Sequence, residues 1–381
     1  MITGERIRQA RELLPMTQSA LAVAINVSQP AVAQMEAGII QPSEAALQSL
    51  SFATGFPVSF FRLPPPPDFP LGTLMYRARA SVTAKEKSQT ARLGQLTLEL
   101  LQRLGQRVRL PTLRLPQISD ERPVEAAEIA RGGMGLASDT PIPNLVRTLE
   151  RSGALVLALP SSLDLPKQDA FSAWTADLQS RPLMVLAHRE HAGRLRFNVA
   201  HELGHLVMHQ SPRGSVATIE AEADEFAANF LLPADALRRE IERPVTLTGL
   251  MQLRERWGVS IQALIHRARD LDLLNERQAG DLYHQATARG WRNQDPGGRA
   301  PEQPRALRKM VEMVYGDTDP ARRLADDMSW PLPLTTTLLA AYAGEPTSPP
   351  SDSMANGNVV RFRQRADDAH SPDDTPKKKG V

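Results

Sequence analysis

The spacing of apolar residues along the chain separates helical stretches from strand-like ones. Residues Glu5 to Leu14 carry a short helical pattern that Pro15 ends. Thr17 is placed to cap a second helix through about Ala24, and Ser28 a third reaching Glu36, with Gly38 past its end. Pro30 falls in the first turn of that third helix, where its missing N–H costs little. Ser43 opens a fourth helix toward Thr54 and Gly55. Leu21, Val27, Val32 and Met35 read as core. Short helices with a tight turn at Asn26-Val27 describe an all-α helix-turn-helix. A long helical pattern follows from Thr83 to about Val108, with Leu93, Leu96, Leu100, Leu101 and Leu104 on one stripe. The runs Gly153–Leu159 and Pro182–Ala187 read as buried strands, with Asp169–Trp174 as a third. Two amphipathic helices come next. One starts near Arg196 or Phe197 and buries Phe197, Ala200, Leu203 and Val207. The other carries Ala223, Phe226, Ala227, Phe230 and Leu231 and stops at Pro233. Residues 305–343 again look helical. The expected fold is mainly α with a small sheet (α+β).

Punctuation divides the chain further. Leu63-Pro64-Pro65-Pro66-Pro67-Asp68-Phe69-Pro70 reads as a stiff polyproline hinge. A Pro/Gly-rich boundary runs from Gly290 to Pro304. Beyond Glu345 the chain is rich in Pro, Ser and Asp and ends in Lys377-Lys378-Lys379, a composition expected to be disordered. The expected units are 1–62, 63–120, 121–293, 294–344 and 345–381.

Composition narrows the setting. With no cysteine there is neither a disulfide framework nor a thiolate metal site. Met1-Ile2-Thr3-Gly4-Glu5-Arg6 lacks the apolar stretch of a signal peptide, and no run is long enough for a membrane helix. A cytoplasmic protein without membrane contact is expected. The net charge of +2 is too small to argue for nucleic acid by itself. Over residues 1–62, Arg6, Arg8, Arg11 and Arg62 balance Glu5, Glu12, Glu36 and Glu44; residues 63–115 carry the basic surplus.

The chemistry concentrates in His201-Glu202-Leu203-Gly204-His205. Two histidines four apart lie about 40° apart around a helix, so both imidazoles reach one tetrahedral zinc ion. Glu202 beside them reaches a water in the open coordination position. Gly204 weakens the helix by about 1 kcal/mol relative to alanine, which makes sense if something approaches closely there. A third ligand is expected on another element. Glu220, with Asp224 one turn on, suits a ligand carboxylate followed by a carboxylate that accepts the N–H of a ligating histidine. Glu222 and Glu225 are rivals, but point about 200° and 140° away from Glu220. The plainer reading is an amphipathic helix with two surface histidines, followed by a solvated acidic helix start.

Two resemblances sharpen this. Arg196-Phe197-x-x-Ala200-His201-Glu202-x-Gly204-His205, then Glu220-x-x-x-Asp224-x-Phe226-Ala227-x-x-x-Leu231-x-Pro233, resembles the ImmA/IrrE metallopeptidase family, over roughly Glu121 to Asn293. The segment from Trp257 to Ala268 resembles it too. The likeness implies a thermolysin-like (zincin) domain, zinc on His201, His205 and Glu220, Glu202 as general base, and a repressor-type protein as substrate. His188, His191, His266 and Tyr283 stay open as residues assisting the oxyanion. At the other end, Met16-Thr17-Gln18-x-x-Leu21-Ala22-x-x-x-x-Val27-Ser28-Gln29-Pro30-x-Val32-x-x-Met35-Glu36-x-Gly38 is similar to the Xre-type, lambda-repressor-like family. It implies double-stranded DNA as partner. Ser28, Gln29 and Gln34 are then candidate base or phosphate contacts, and Thr17 and Gln18 phosphate contacts. The charge balance of this module departs from a strong DNA binder, so a homodimer or Arg77, Arg79, Lys85, Lys87 and Arg92 would have to supply phosphate neutralisation. The combined expectation is a DNA-binding regulator with a zinc endopeptidase that cuts a repressor, an antitoxin-like protein or itself. The alternative is a transcription factor whose zincin fold only senses or dimerises.

Overall fold

The computed structural model describes residues 1–69, 83–118, 121–160, 170–175, 181–186, 192–210, 214–291, 300–342 and 363–364. It is mainly helical with a small sheet. Four short helices open the chain: α1 (Gly4–Leu13), α2 (Gln18–Ala24), α3 (Gln29–Glu36) and α4 (Glu44–Thr54). The hydroxyls of Thr17, Ser28 and Ser43 accept from the N–H groups of Ala20, Ala31 and Ala46. These caps satisfy amides that a helix start leaves without a partner. Gly55 ends α4 at φ +74°, a left-handed conformation that favours glycine. Leu21, Val32, Leu50 and Phe60 form the centre of this module.

Helix α5 (Ala84–Gly105) opens with a capping box between Thr83 and Glu86. Its leucine stripe is buried inside the chain, with Leu93, Leu96, Leu100, Leu101 and Leu104 all at or below 4 % exposure. The stripe is therefore not a free dimer face. Arg6 of α1 grips both oxygens of Glu99 on α5 at 2.8 Å, and Arg92 Nε reaches Glu12 at 2.7 Å.

The proline-rich segment differs from the expected hinge, because its described part is docked. The Thr3 hydroxyl donates to Leu63 O and Arg6 Nε to Pro64 O, both at 2.7 Å. Phe69 is buried over Gly94, where an added methyl would lie 2.4 Å from its ring. Prolines stiffen a path, but here a buried guanidinium and a buried ring fix where the path lies. Pro70 to Val82, with Arg77 and Arg79, lie outside the described residues.

The sheet divides the molecule. Strands β2 (Leu155–Ala158), β3 (Ala170–Trp174) and β4 (Pro182–Leu186) run in the order β2-β4-β3; β2 is parallel and β3 antiparallel to β4. Strand side chains alternate between faces. Leu155, Leu157, Phe171, Ala173, Leu183 and Val185 join a core shared with the first module and α5. Val156, Met184 and Leu186 join a second core. A separate short ladder pairs β1 (Val108–Arg109) with β5 (Arg363–Gln364).

The second core gathers α6 (Pro123–Gly133), α7 (Leu145–Arg151), α8 (Ala192–Met208), α9 (Val216–Leu231), α10 (Ala234–Glu240), α11 (Leu247–Trp257), α12 (Ile261–Asp270) and α13 (Glu276–Ala288). Helix α8 reaches back at least to Ala192, a turn before the expected Arg196. Leu195 continues its buried face, and Gly193 masked the pattern in sequence. Residues 300–342 form α14 (Ala306–Tyr315), α15 (Pro320–Met328) and α16 (Leu332–Ala340), and they clamp the two cores. Glu302 accepts from Arg196 Nη1 and from Val146 N–H at 2.8 Å. Tyr342 Oη accepts from Ala158 N–H at 3.1 Å. Asp327 pairs with Arg103 of α5 at 2.8 Å, and Ser329 meets Ser59 at 2.9 Å.

Candidate metal centre and nucleic-acid interface

Helices α8 and α9 pack against each other at Gly204. An added methyl there would lie 3.0 Å from Cδ1 of Phe226, which is fully buried and stacked on Phe230. That close approach lets side chains from both helices share one site. His201 and His205, one turn apart on α8, bring their Nε2 atoms to 3.0 Å. Glu220 from the first turns of α9 places Oε2 3.3 Å from His201 Nε2 and Oε1 3.6 Å from His205 Nε2. These three residues form a group whose ligand atoms all lie within 4.8 Å of one another. Glu222 and Glu225 do not belong to it.

The atoms behind the cluster are held as well. Asp224 Oδ1 lies 2.8 Å from His201 Nδ1. His205 Nδ1 lies 2.9 Å from His209 Nδ1, and His209 Nε2 lies 2.9 Å from Glu222 Oε2. Burial disfavours the imidazolium of His201, but the Asp224 hydrogen bond and the charges of Glu202, Asp224 and Glu220 outweigh it and leave its pKa raised. The same negative field favours a divalent cation. Two imidazole nitrogens and a carboxylate oxygen, with each imidazole's second nitrogen engaged, are the donor set that suits zinc.

Glu202 is buried, at 8 % exposure. The Ser172 hydroxyl on β3 donates to its Oε2 at 2.6 Å. Trp174, two residues on and on the same face, donates through Nε1 to Leu206 O at 3.1 Å. Strand β3 is therefore fastened along α8, and among the described residues its only strand neighbour is β4. His266 and Tyr283 line a cleft of 1540 Å³ together with Phe197, Asn198, Ala221 and Asp224. Burial raises the Tyr283 pKa. His188 and His191 lie outside the described residues. Sequence reasoning missed Ser172, which no motif marks, and His209, which a continued four-residue spacing after His201 and His205 could have disclosed.

In the first module, the structure brings Thr17, Gln18, Ser28 and Gln29 together where α2 and α3 begin. Gln29 Nε2 donates to Gln18 Oε1 at 2.9 Å, and Gln18 Nε2 donates to Glu36 Oε2 at 2.8 Å. Glu36 is itself held by Arg11, whose Nη2 lies 2.9 Å from Oε2. Thr17, Ser28, Gln29 and Gln34 are exposed, with Gln34 farther along α3. No acidic residue sits in the first turn of α3, so nothing there repels a phosphate.

Comparison with known families agrees with both regions. A helix-turn-helix family matches residues 7–61. The peptidase family M78, described as the IrrE N-terminal-like domain, matches residues 149–269. No curated protein matches the chain. Among the described residues no helix is long and apolar enough to cross a membrane. The chain thus joins an Xre-like helix-turn-helix domain, the part of a DNA-binding regulator, to an IrrE/ImmA-like domain of a metallopeptidase family.

Proposed function

We propose that this chain is a cytoplasmic transcription regulator whose second domain is a zinc-dependent endopeptidase acting on a repressor-like protein. The observation that carries the reading is the convergence of His201, His205 and Glu220 beside a buried, oriented Glu202 at the edge strand β3. His201, His205 and Glu220 would hold the ion, and Asp224 would keep His201 in the tautomer that presents Nε2. Zinc bound there supplies Lewis-acid polarisation of a carbonyl and lowers the pKa of water. Glu202, aimed by Ser172, takes a proton from the attacking water and passes it to the leaving amine nitrogen. A substrate segment lies along β3 as an added strand, with backbone hydrogen bonds fixing its register.

The DNA-binding reading assigns Gln29 and Gln34 to base edges, with Ser28 at a base edge or a phosphate. Thr17 and Gln18 are assigned to phosphates. Gln29, steadied by Gln18, keeps its amide oxygen and a second N–H for the two-atom contact that adenine accepts.

Metal analysis of the reconstituted chain should give about one zinc per chain, lost in His201→Ala and His205→Ala. Glu202→Gln should keep zinc and DNA binding but stop cleavage, so that a candidate repressor accumulates uncut in cells carrying a reporter for the protein's own operator. Equal regulation and equal repressor stability in wild type and Glu202→Gln, under conditions where wild type responds, would leave only a sensing or dimerising role for the domain.

A further inference from the structure

The motif helix carries a third histidine that the metallopeptidase reading does not use. His209 follows His205 by four residues, as His205 follows His201, so the three rings descend one helix face. Its backbone N–H donates to His205 O at 3.0 Å, which keeps it in the last helical turn. Its side chain is only 6 % exposed. It does not belong to the ligand group. Nδ1 lies 2.9 Å from His205 Nδ1, and Nε2 lies 2.9 Å from Glu222 Oε2.

Hydrogen-bond polarity then leaves little choice. A histidine that gives Nε2 to a metal carries its proton on Nδ1. His205 Nδ1–H must therefore donate, and His209 Nδ1 must accept. A neutral His209 that accepts at Nδ1 carries its proton on Nε2, which donates to the Glu222 carboxylate. Every donor in the chain His205–His209–Glu222 meets an acceptor. The arrangement parallels His201–Asp224 with one imidazole interposed.

We infer that His209 is a positioning residue for the metal centre, fixing the tautomer and ring plane of His205, and that Glu222 acts on the metal through His209. The inference rests on the proposed metal site and adds the second support that site would need. It also gives Glu222 a place outside the ligand set.

The test is zinc affinity of the full chain, read by competition with a fluorescent chelator, together with the absorption spectrum of the cobalt-substituted protein. Wild type is compared with His209→Phe, His209→Asn, Glu222→Ala and the double variant His209→Asn/Glu222→Ala. His201→Ala serves as the control for loss of the site. His209→Phe should bind zinc about 10- to 100-fold more weakly and shift the cobalt spectrum. His209→Asn should recover part of that loss, because its amide oxygen can accept from His205 Nδ1–H. Glu222→Ala should weaken binding in wild type but have no effect once His209 is asparagine.

Wild-type affinity and an unchanged spectrum in His209→Phe would overturn the inference. So would an equal effect of Glu222→Ala with and without His209. Were the His209 variants to fail to fold, wild-type zinc affinity in Glu222→Ala would overturn it alone. Absence of zinc binding in wild type would instead remove the metal site itself, a result distinct from all of these.

Discussion

Glu150 offers a stability test with a defined pH window. It sits on α7 at 1 % exposure. Its Oε1 accepts from the backbone N–H groups of Arg305 and Ala306 at 2.9 and 2.8 Å, so it caps α14, whose own N-cap side chain does not. Oε2 is buried with no hydrogen-bond partner among the described residues. Burial pushes the carboxyl up from its ordinary 4.5 to about 7, against the two amide bonds and the charges of Arg147 and Arg305, which pull it down. The folded chain therefore keeps this proton to higher pH than the unfolded chain does. Below about pH 4 both states hold it and it has no effect. Between 4.5 and 7 the folded state binds the extra proton, so stability falls as pH rises; above 7 the full loss persists. At about 1.4 kcal/mol per pH unit, the loss is about 3 kcal/mol.

Glu150→Gln keeps an oxygen for the two amides and never ionises. Any cost of its buried NH2 group is the same at every pH. Urea denaturation of both proteins in chelator, from pH 4.5 to 8.5, isolates the carboxyl as the pH-dependent part of their difference. The variant should gain about 3 kcal/mol on wild type across that range, with most of the gain complete by pH 8. A difference that stays flat with pH would refute the reasoning, since Glu150 would then ionise as readily in the folded chain as in the unfolded one.

Two further outcomes follow from the geometry. Gly204→Ala should lose about 1–3 kcal/mol despite the better helix propensity of alanine, because the methyl meets the buried, stacked Phe226; thermal unfolding and zinc affinity should fall together, as α9 carries Glu220. DNA binding by the full chain should show a shallow salt dependence, with a slope in log K against log salt no steeper than about −4 per protomer, and replacing Gln29 and Gln34 should flatten sequence preference while Gln18→Ala weakens all sequences alike; a much steeper slope would point to cations beyond Arg8, Arg62, Lys85 and Lys87.

What could be read from the sequence was whatever depends on neighbours along the chain. Thr17, Ser28 and Ser43 cap their own helices, so the bounds of the first four helices are legible to within a residue. The strands showed as apolar runs because β2 and β4 are covered on both faces. His201, Glu202 and His205 stood out because a helix turns local spacing into shared direction. The remainder depends on residues far apart in sequence. Nothing near Ser172 announces that it will aim Glu202, thirty positions away. Glu150 capping a helix more than 150 residues later leaves no local trace. The prolines before Phe69 spelled a hinge, and only the docking of Phe69 on Gly94 and of Pro64 on Arg6 shows the segment held.

The weak charge of the DNA-reading module has the same origin. Counting its arginines overstates what a phosphate could meet. Arg6 is bound to Glu99 and Pro64, and Arg11 to Glu36 and Met16. Arg92, one of the cations that α5 carries, is bound to Glu12. A buried guanidinium already saturated by a carboxylate and a carbonyl cannot turn outward without leaving the other charge desolvated, a change costing several kcal/mol. These arginines instead fasten α1 to α3, to α5 and to the proline segment. The surface where α2 and α3 begin is correspondingly one of hydroxyls and amides rather than cations. Such a surface gains less from counterion release and more from directional hydrogen bonds. The module thus uses basic residues as internal struts as well as having no net surplus of them; on the proposed DNA-binding reading, that would shift the balance of recognition from charge toward sequence.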